Sequence, residues 1–368
     1  MKFRFHPLFF LAASLLASCG KPPPATPPNP ADALSVVDAA GRTVRMDRPP
    51  QRLTISGKAS FMIENAVYLF PEARERGLDF LGGLAPQRPG VPDFLSLVVS
   101  NRPGAPALEE AGIEQIASTR PDAVLMKRSA RRAGDSMDQL GIPVVFLDLE
   151  TPAHYERDLA ILGQILSAPE SASKLIAYYR GIAGLVAERT SPLADDAKPR
   201  VLLLQYSDLN GTAAFSVPPP DWIQTDLVLR AGGSPVWTNS AQPGGWTIVN
   251  LEQIAAWNPD AVVVVQYRGD SSRAVESMRA DPRWHALRAA ADNRVFAFPA
   301  DFCSWDQPDP RWGLGLLWLA SRLHPGLFPD LDMASEIFRF YSLYGLDADS
   351  VRQIVLPLLP SDLFHALH

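Results

Sequence analysis

The sequence predicts an α/β protein of two similar lobes, each built on a mainly parallel sheet and joined by one long rigid helix. Three observations carry that prediction. Residues 114–124 return as residues 252–262, 138 positions later, with eight of eleven positions identical. Such agreement within one chain marks two copies of one architectural unit. Short apolar runs alternate with helical spacing on both sides of the midpoint, the order of parallel βαβ units. Between them, over residues 170–189, Leu175, Tyr179, Ile182 and Val186 form one unbroken helical face.

Composition narrows the class. At 368 residues the chain exceeds one ordinary core and suits two domains. A hydrophobic content of 47% with 20% charged residues is that of a globular protein, and a net charge of -6 argues against nucleic acid as a partner. Cys19 and Cys303 are the two cysteines, so no disulfide framework is expected within one mature chain.

The elements follow in order. Lys2 and Arg4 precede an apolar run over 8–16, too short for a bilayer-spanning helix of about 20 residues. Residues 1–18 therefore read as a secretory signal peptide. Leu16-Ala17-Ser18-Cys19 resembles the bacterial lipobox, which implies cleavage before Cys19 and a lipid attached to it. Six prolines in residues 21–30 cannot pack a core, so residues 19–33 form an extended tether and the folded body hangs from a membrane by its lipid anchor.

The first lobe is expected over 34–168. Residues 41–44 give a hairpin-like lead-in and 48–55 a buried strand, broken by Gly57-Lys58-Ala59-Ser60. A helix follows over 61–70 and a second strand over 79–83. The first repeat copy is a short helix stopped by Pro121 and a strand over 123–126, running into Lys127-Arg128-Ser129-Ala130-Arg131-Arg132. A helix closing at 137–140 and a strand over 141–147 come next. The connecting helix occupies 169–191, started by Ser167 and Pro169 and stopped by Ser191-Pro192. The second lobe, 198–368, repeats the order: a strand over 200–205, a helix over 222–231 capped by Gly232-Gly233, the second repeat copy, a helix over 271–289, a strand over 294–298, and a helical C-terminal tail.

Several short motifs share this order: Asp38-Ala-Ala-Gly-Arg-Thr-Val44, Gly141-Ile-Pro-Val-Val145, Lys198-Pro-Arg-Val201, Ala231-Gly-Gly233 and the two Glu-Gln-Ile-Ala…Pro-Asp-Ala-Val segments. Together they resemble the substrate-binding proteins of ABC importers for iron chelates, haem and cobalamin, the class III periplasmic binding proteins. The resemblance spans roughly residues 34–340. It implies a ligand cleft between the lobes, a periplasmic or cell-envelope location, a monomer, and a permease dimer as partner. It also implies that one surface glutamate per lobe, here Glu114 and Glu252, pairs with arginines of the permease. Trp305-Asp306-Gln-Pro-Asp-Pro-Arg311 resembles a subgroup handling iron complexes or metal oxyanions. The expected cargo is thus an iron chelate (siderophore or haem) or a cobalamin-like complex, with molybdate or tungstate as the alternative.

Parallel sheets bind ligands at the carboxyl ends of their strands. That rule nominates Lys58, Arg128, Arg131 and Arg132 on the first lobe. On the second it nominates Tyr206, Tyr267 and Arg268, with Trp222, Trp246, Trp305 and Asp306 on adjoining loops. A basic wall facing an aromatic one suits an anionic, partly planar ligand. No resident cofactor is expected, and His154, His285 and His324 are too scattered for a bare-metal site. Trp312 and Trp318 are expected in the core. The competing class, an exported α/β enzyme, lacks its signatures: the chain has no Gly-x-Ser-x-Gly elbow and no His-Glu-x-x-His.

Overall fold

The computed structural model describes residues 33–57, 59–75, 79–81, 91–99, 112–209 and 212–364. An antiparallel hairpin of β1 (Leu34–Val37) and β2 (Thr43–Met46) comes first. Asp38 builds its turn: one carboxylate oxygen accepts the N–H groups of Ala40 and Arg42 at 2.9 and 3.0 Å, and Gly41 takes φ +75°.

The first sheet comprises β3 (Arg52–Ser56), β4 (Asp79–Leu81), β5 (Ala123–Lys127) and β6 (Val144–Leu147), all parallel in the order β4-β3-β5-β6. Around it lie α1 (Ser60–Val67), α2 (Pro71–Glu75), α3 (Leu95–Val98), α4 (Ile113–Ser118), α5 (Arg131–Asp138) and α6 (Pro152–Ile165). Then comes α7 (Pro169–Thr190), 22 residues and so about 33 Å long. Its start and stop agree with the sequence reading to within a residue. α6, by contrast, carried an overlooked signal: Thr151 accepts the His154 N–H and Pro152 takes the first helical position.

The second lobe carries β7 (Arg200–Leu209), β8 (Thr212–Val217), α8 (Ile223–Arg230), β9 (Ser234–Pro235), β10 (Thr247–Val249), α9 (Leu251–Trp257), β11 (Ala261–Val265), α10 (Ser271–Ala280), α11 (Arg288–Ala291), β12 (Val295–Ala297), α12 (Trp312–Leu323) and α13 (Met333–Ser342). Its sheet runs β10-β8-β7-β11-β12, with β9 also on β7. Here the structure adds to the expected pattern. β7 continues past the predicted end and folds back into β8, and β8 with β10 runs antiparallel, so this sheet is mixed. The single helix expected over 271–289 is broken at Pro282 into α10, a 3-10 turn and α11, because proline supplies no N–H to continue the ladder.

The repeated segment occupies the same place in both lobes. α4 leads into β5 and α9 into β11, and all five residues of each strand are buried. The Pro-Asp pair has a structural task. Asp122 accepts the Arg52 N–H at 3.0 Å and Asp260 accepts the Arg200 N–H at 2.9 Å; each aspartate N–H returns a bond to the same residue's carbonyl. The matching arginine then donates to the end of the preceding helix, Arg52 to the Thr119 carbonyl and Arg200 to that of Trp257. The clamp aligns each repeated strand with the earliest strand of its sheet, β3 or β7.

Contacts beyond α7 bind the lobes. Asn65 of α1 donates its amide to Asp309, and the Tyr344 hydroxyl donates to the Asn65 carbonyl at 2.9 Å. Phe94 packs against Phe302 and Tyr344, with ring centroids 5.0 and 4.8 Å apart. α7 is fastened to the second lobe where Tyr179 stacks on Trp312 at 5.0 Å and donates to the Pro310 carbonyl at 2.8 Å. Among the described residues no helix is long and apolar enough to cross a membrane.

Candidate functional site

The carboxyl ends of β3, β5 and β6 present Gly57, Lys127-Arg128 and Asp148; those of β11 and β12 present Tyr267 and Asp301. On the second lobe the sheet and two loops assemble an aromatic strip. Trp222 precedes α8, Trp246 precedes β10, and Tyr267 follows β11. Their ring centroids lie 6.0 Å apart for Trp222 and Trp246 and 5.9 Å for Trp246 and Tyr267, in edge-on geometry. All three side chains are half-buried.

Asp306 forms the floor of the strip. Its carboxylate accepts the Tyr267 hydroxyl at 2.6 Å, the Gln224 amide at 3.2 Å and the Ser304 hydroxyl. These donors are neutral, so burial pushes the Asp306 carboxyl above its ordinary value although the three bonds pull it down. Burial, and next the Asp306 charge, push the Tyr267 phenol well above its own. The Gln224 carbonyl oxygen is buried without a hydrogen-bond partner.

The same loop, from β12 to α12, reaches the seam between the lobes. Arg311 is fully buried, 2.7 Å from Asp301 and 2.8 Å from Asp309, with its guanidinium 4.4 Å above the Phe94 ring. Asp301 also accepts the Trp305 indole N–H at 2.8 Å and the Tyr341 hydroxyl. Asp309 receives Asn65 from the first lobe. Asp306, which holds Tyr267, is three positions before Asp309 along the chain.

On the first lobe the cations are organised by Asp148. One of its oxygens takes Arg128 Nε at 2.8 Å and the other takes Arg157 at 2.7 Å. Lys127, buried, pairs with Glu150 at 2.7 Å and donates to the Asp148 carbonyl. Arg157 rests in turn on Asp158 at 2.8 Å. The buried Asp158 accepts the N–H groups of Asp148 and Leu149, both at 2.7 Å, and so holds a turn in which Leu149 has φ +51°. Burial raises the Asp158 carboxyl despite these bonds.

The nominated residues separate accordingly. Arg128 is exposed at the carboxyl end of β5, and Trp222, Trp246 and Tyr267 form the aromatic strip of the second lobe. Trp305 and Asp306 are both 0% exposed. Their place is corrected from wall to foundation, since Trp305 spends its indole N–H on Asp301 and Asp306 supports Tyr267 from beneath. Tyr206 packs on Phe215 at 5.9 Å, which meets Trp284 at 5.3 Å, an aromatic group apart from the strip. Arg131 is exposed on α5, 3.5 Å from Asp135, and Arg132 and Arg268 are exposed. Lys58 and Cys19 lie outside the described residues. Glu114 and Glu252 are exposed, each in the first turn of its repeat helix. Among the described residues no group of three or more His, Cys, Asp or Glu could hold a metal ion.

Sequence reasoning missed Arg157, Gln224, Asp301 and the Asp309–Arg311 pair. A signal existed for the last three, since Asp301, Asp306, Asp309 and Arg311 crowd eleven residues after the last strand.

Comparison with known proteins agrees with this architecture. A family model described as "Periplasmic binding protein" matches residues 89–302. The molybdate-binding protein MolA of Haemophilus influenzae is 24% identical over 261 residues, covering 64% of this chain and 70% of that protein. A periplasmic solute binding protein from Veillonella parvula superposes with a TM-score of 0.69 at 21% identity, over 90% of this chain and 100% of its own. The structure of MolA bound to molybdate gives 0.69 at 18%, over 85% and 98%. The triscatecholate siderophore binding protein FeuA from Bacillus subtilis, complexed with ferri-bacillibactin, gives 0.59 at 17%, over 79% and 98%.

Proposed function

This chain belongs to the periplasmic binding protein family, and from that premise we propose that its cargo is an anionic metal complex, an iron chelate such as a ferric siderophore or haem, or a cobalamin-like corrinoid. It is a binding protein that delivers a small molecule to an ABC permease, and not an enzyme. The observation that carries the cargo assignment is the strip of Trp222, Trp246 and Tyr267. Three half-buried rings offer extended π surface, which suits the faces of catechol or macrocycle groups. Opposite charge comes from the first lobe. Arg128 and Arg157 share one carboxylate, Asp148, so each guanidinium retains donors for an anionic group.

Cargo then bridges the lobes, residues 34–168 and 198–368, with the helix of 169–191 between them. Because α7 is fastened through Tyr179 to Trp312 and Pro310, closure is a small rotation rather than a wide hinge. Glu114 and Glu252, equivalent positions of the repeat, meet arginines of the two permease subunits. Residues 1–18 are a signal peptide, and Cys19 carries a lipid that anchors a monomer to the membrane through residues 19–33.

A second reading, molybdate or tungstate, is favoured by the relationship to MolA. A small oxyanion requires converging donors and no ring faces. Titrating the purified chain with ferric enterobactin, haemin, cyanocobalamin, molybdate and tungstate, followed by tryptophan fluorescence and calorimetry, decides between them. Quenching and heat with a chelate alone support the first reading. Saturation by molybdate with no response to any chelate replaces it by the second.

A further inference from the structure

β10 is the outermost strand of the second sheet and is paired on one side only, with β8. Val249 faces inward at 5% exposure, whereas Ile248 is 81% exposed, the most exposed of the large hydrophobic side chains among the described residues. Leaving an isoleucine in water forgoes the gain of burying it, and sheet edges more often carry charge. The position of Ile248 is well defined. Asn250 ends the strand and caps α9 by accepting the Gln253 N–H at 2.8 Å, so Ile248 and Glu252 stand four residues apart across one rigid corner. Trp246 of the aromatic strip lies two residues before Ile248.

We propose that Ile248 is the apolar anchor of the permease-docking surface on the second lobe. It fits an apolar socket on the transmembrane subunit, next to the cation that meets Glu252. This inference rests on the reading of Glu252 as a docking carboxylate. The pairing has the composition of an interface centre, in which charge steers the approach and a desolvated aliphatic group slows dissociation. The arm of residues 246–252 thus touches cargo at one end and the permease at the other.

The test measures the affinity of the full chain for its importer in nanodiscs, comparing Ile248→Ser, Ile248→Leu, Glu252→Ala, Glu114→Ala/Glu252→Ala and the control Val37→Ser, which alters an exposed hydrophobic on β1. Ferric enterobactin and molybdate serve as cargo probes. Ile248→Ser should weaken importer binding about ten-fold or more, with probe affinity and melting temperature kept, while Ile248→Leu and Val37→Ser behave as the parent. Unchanged binding by Ile248→Ser alongside a loss in the glutamate variants overturns the anchor and leaves the docking carboxylates standing. Unchanged binding in all of them removes both. Loss of probe affinity in Ile248→Ser, or loss only of self-association of the chain, also overturns the proposal.

Discussion

Tyr267→Phe isolates the floor of the aromatic strip. The substitution keeps the ring and removes one hydroxyl, which donates at 2.6 Å to Asp306, a carboxylate with 0% exposure. A hydrogen bond to a charged acceptor contributes about 1.5–3 kcal/mol, against about 0.5–1.5 for a neutral pair. The cost should therefore depend on the protonation of Asp306. Its folded-state value is raised by burial, so its contribution to stability is fully present below the ordinary carboxylate value, near 3.9, and is lost as pH rises through the raised value. Without the Tyr267 donor the folded value rises further, and the loss extends to higher pH. Urea unfolding of parent and variant should differ by about 2–3 kcal/mol at pH 8 and by about 1 kcal/mol at pH 4. A difference that is the same at both pH values, or larger at pH 4, would refute the assignment of Asp306 as a carboxylate held by neutral donors.

Three further outcomes follow from the geometry. Arg128→Ala with Arg157→Ala should weaken an anionic chelate roughly 100-fold or more, because two charge-assisted bonds are lost, while Arg131→Ala, on the exposed face of α5, leaves calorimetric titrations nearly unchanged. Arg311→Met should destabilise the fold by about 3–5 kcal/mol in denaturant titrations, since Asp301 and Asp309 then remain buried without their cation. Gly315→Ala drives a methyl into the Trp305 carbonyl oxygen, well inside van der Waals contact and against a backbone atom that cannot step aside. It should cost about 1–3 kcal/mol and lower the melting temperature in calorimetry.

The two-copy architecture was legible because it is local. Hydrophobic period, proline stops and the Glu-Gln-Ile-Ala…Pro-Asp-Ala-Val repeat depend on neighbours along the chain, and α7 was placed within a residue for the same reason. The mixed second sheet was less legible. The return of β7 into β8 depends on pairing such as that of Tyr206 with Phe215, and residues 205–209 read equally well as strand or loop in isolation.

The site divides along the same line. Sequence alone determined the lobes, the connecting rod, the pair of equivalent glutamates and the tryptophan-rich second half, since each follows from residue type and spacing. Trp312 and Trp318 were legible as core and are buried, but tertiary structure alone decided that Trp237, Trp284 and Trp305 join them while Trp222 and Trp246 form the half-buried strip. It also decided that Asp306 supports rather than lines the site, that Arg157 of α6 joins Arg128 on one carboxylate, and that Arg311 closes the seam. Those outcomes depend on which buried charges find partners, and the partners are far apart in the chain: Asn65 and Asp309 meet across 244 positions.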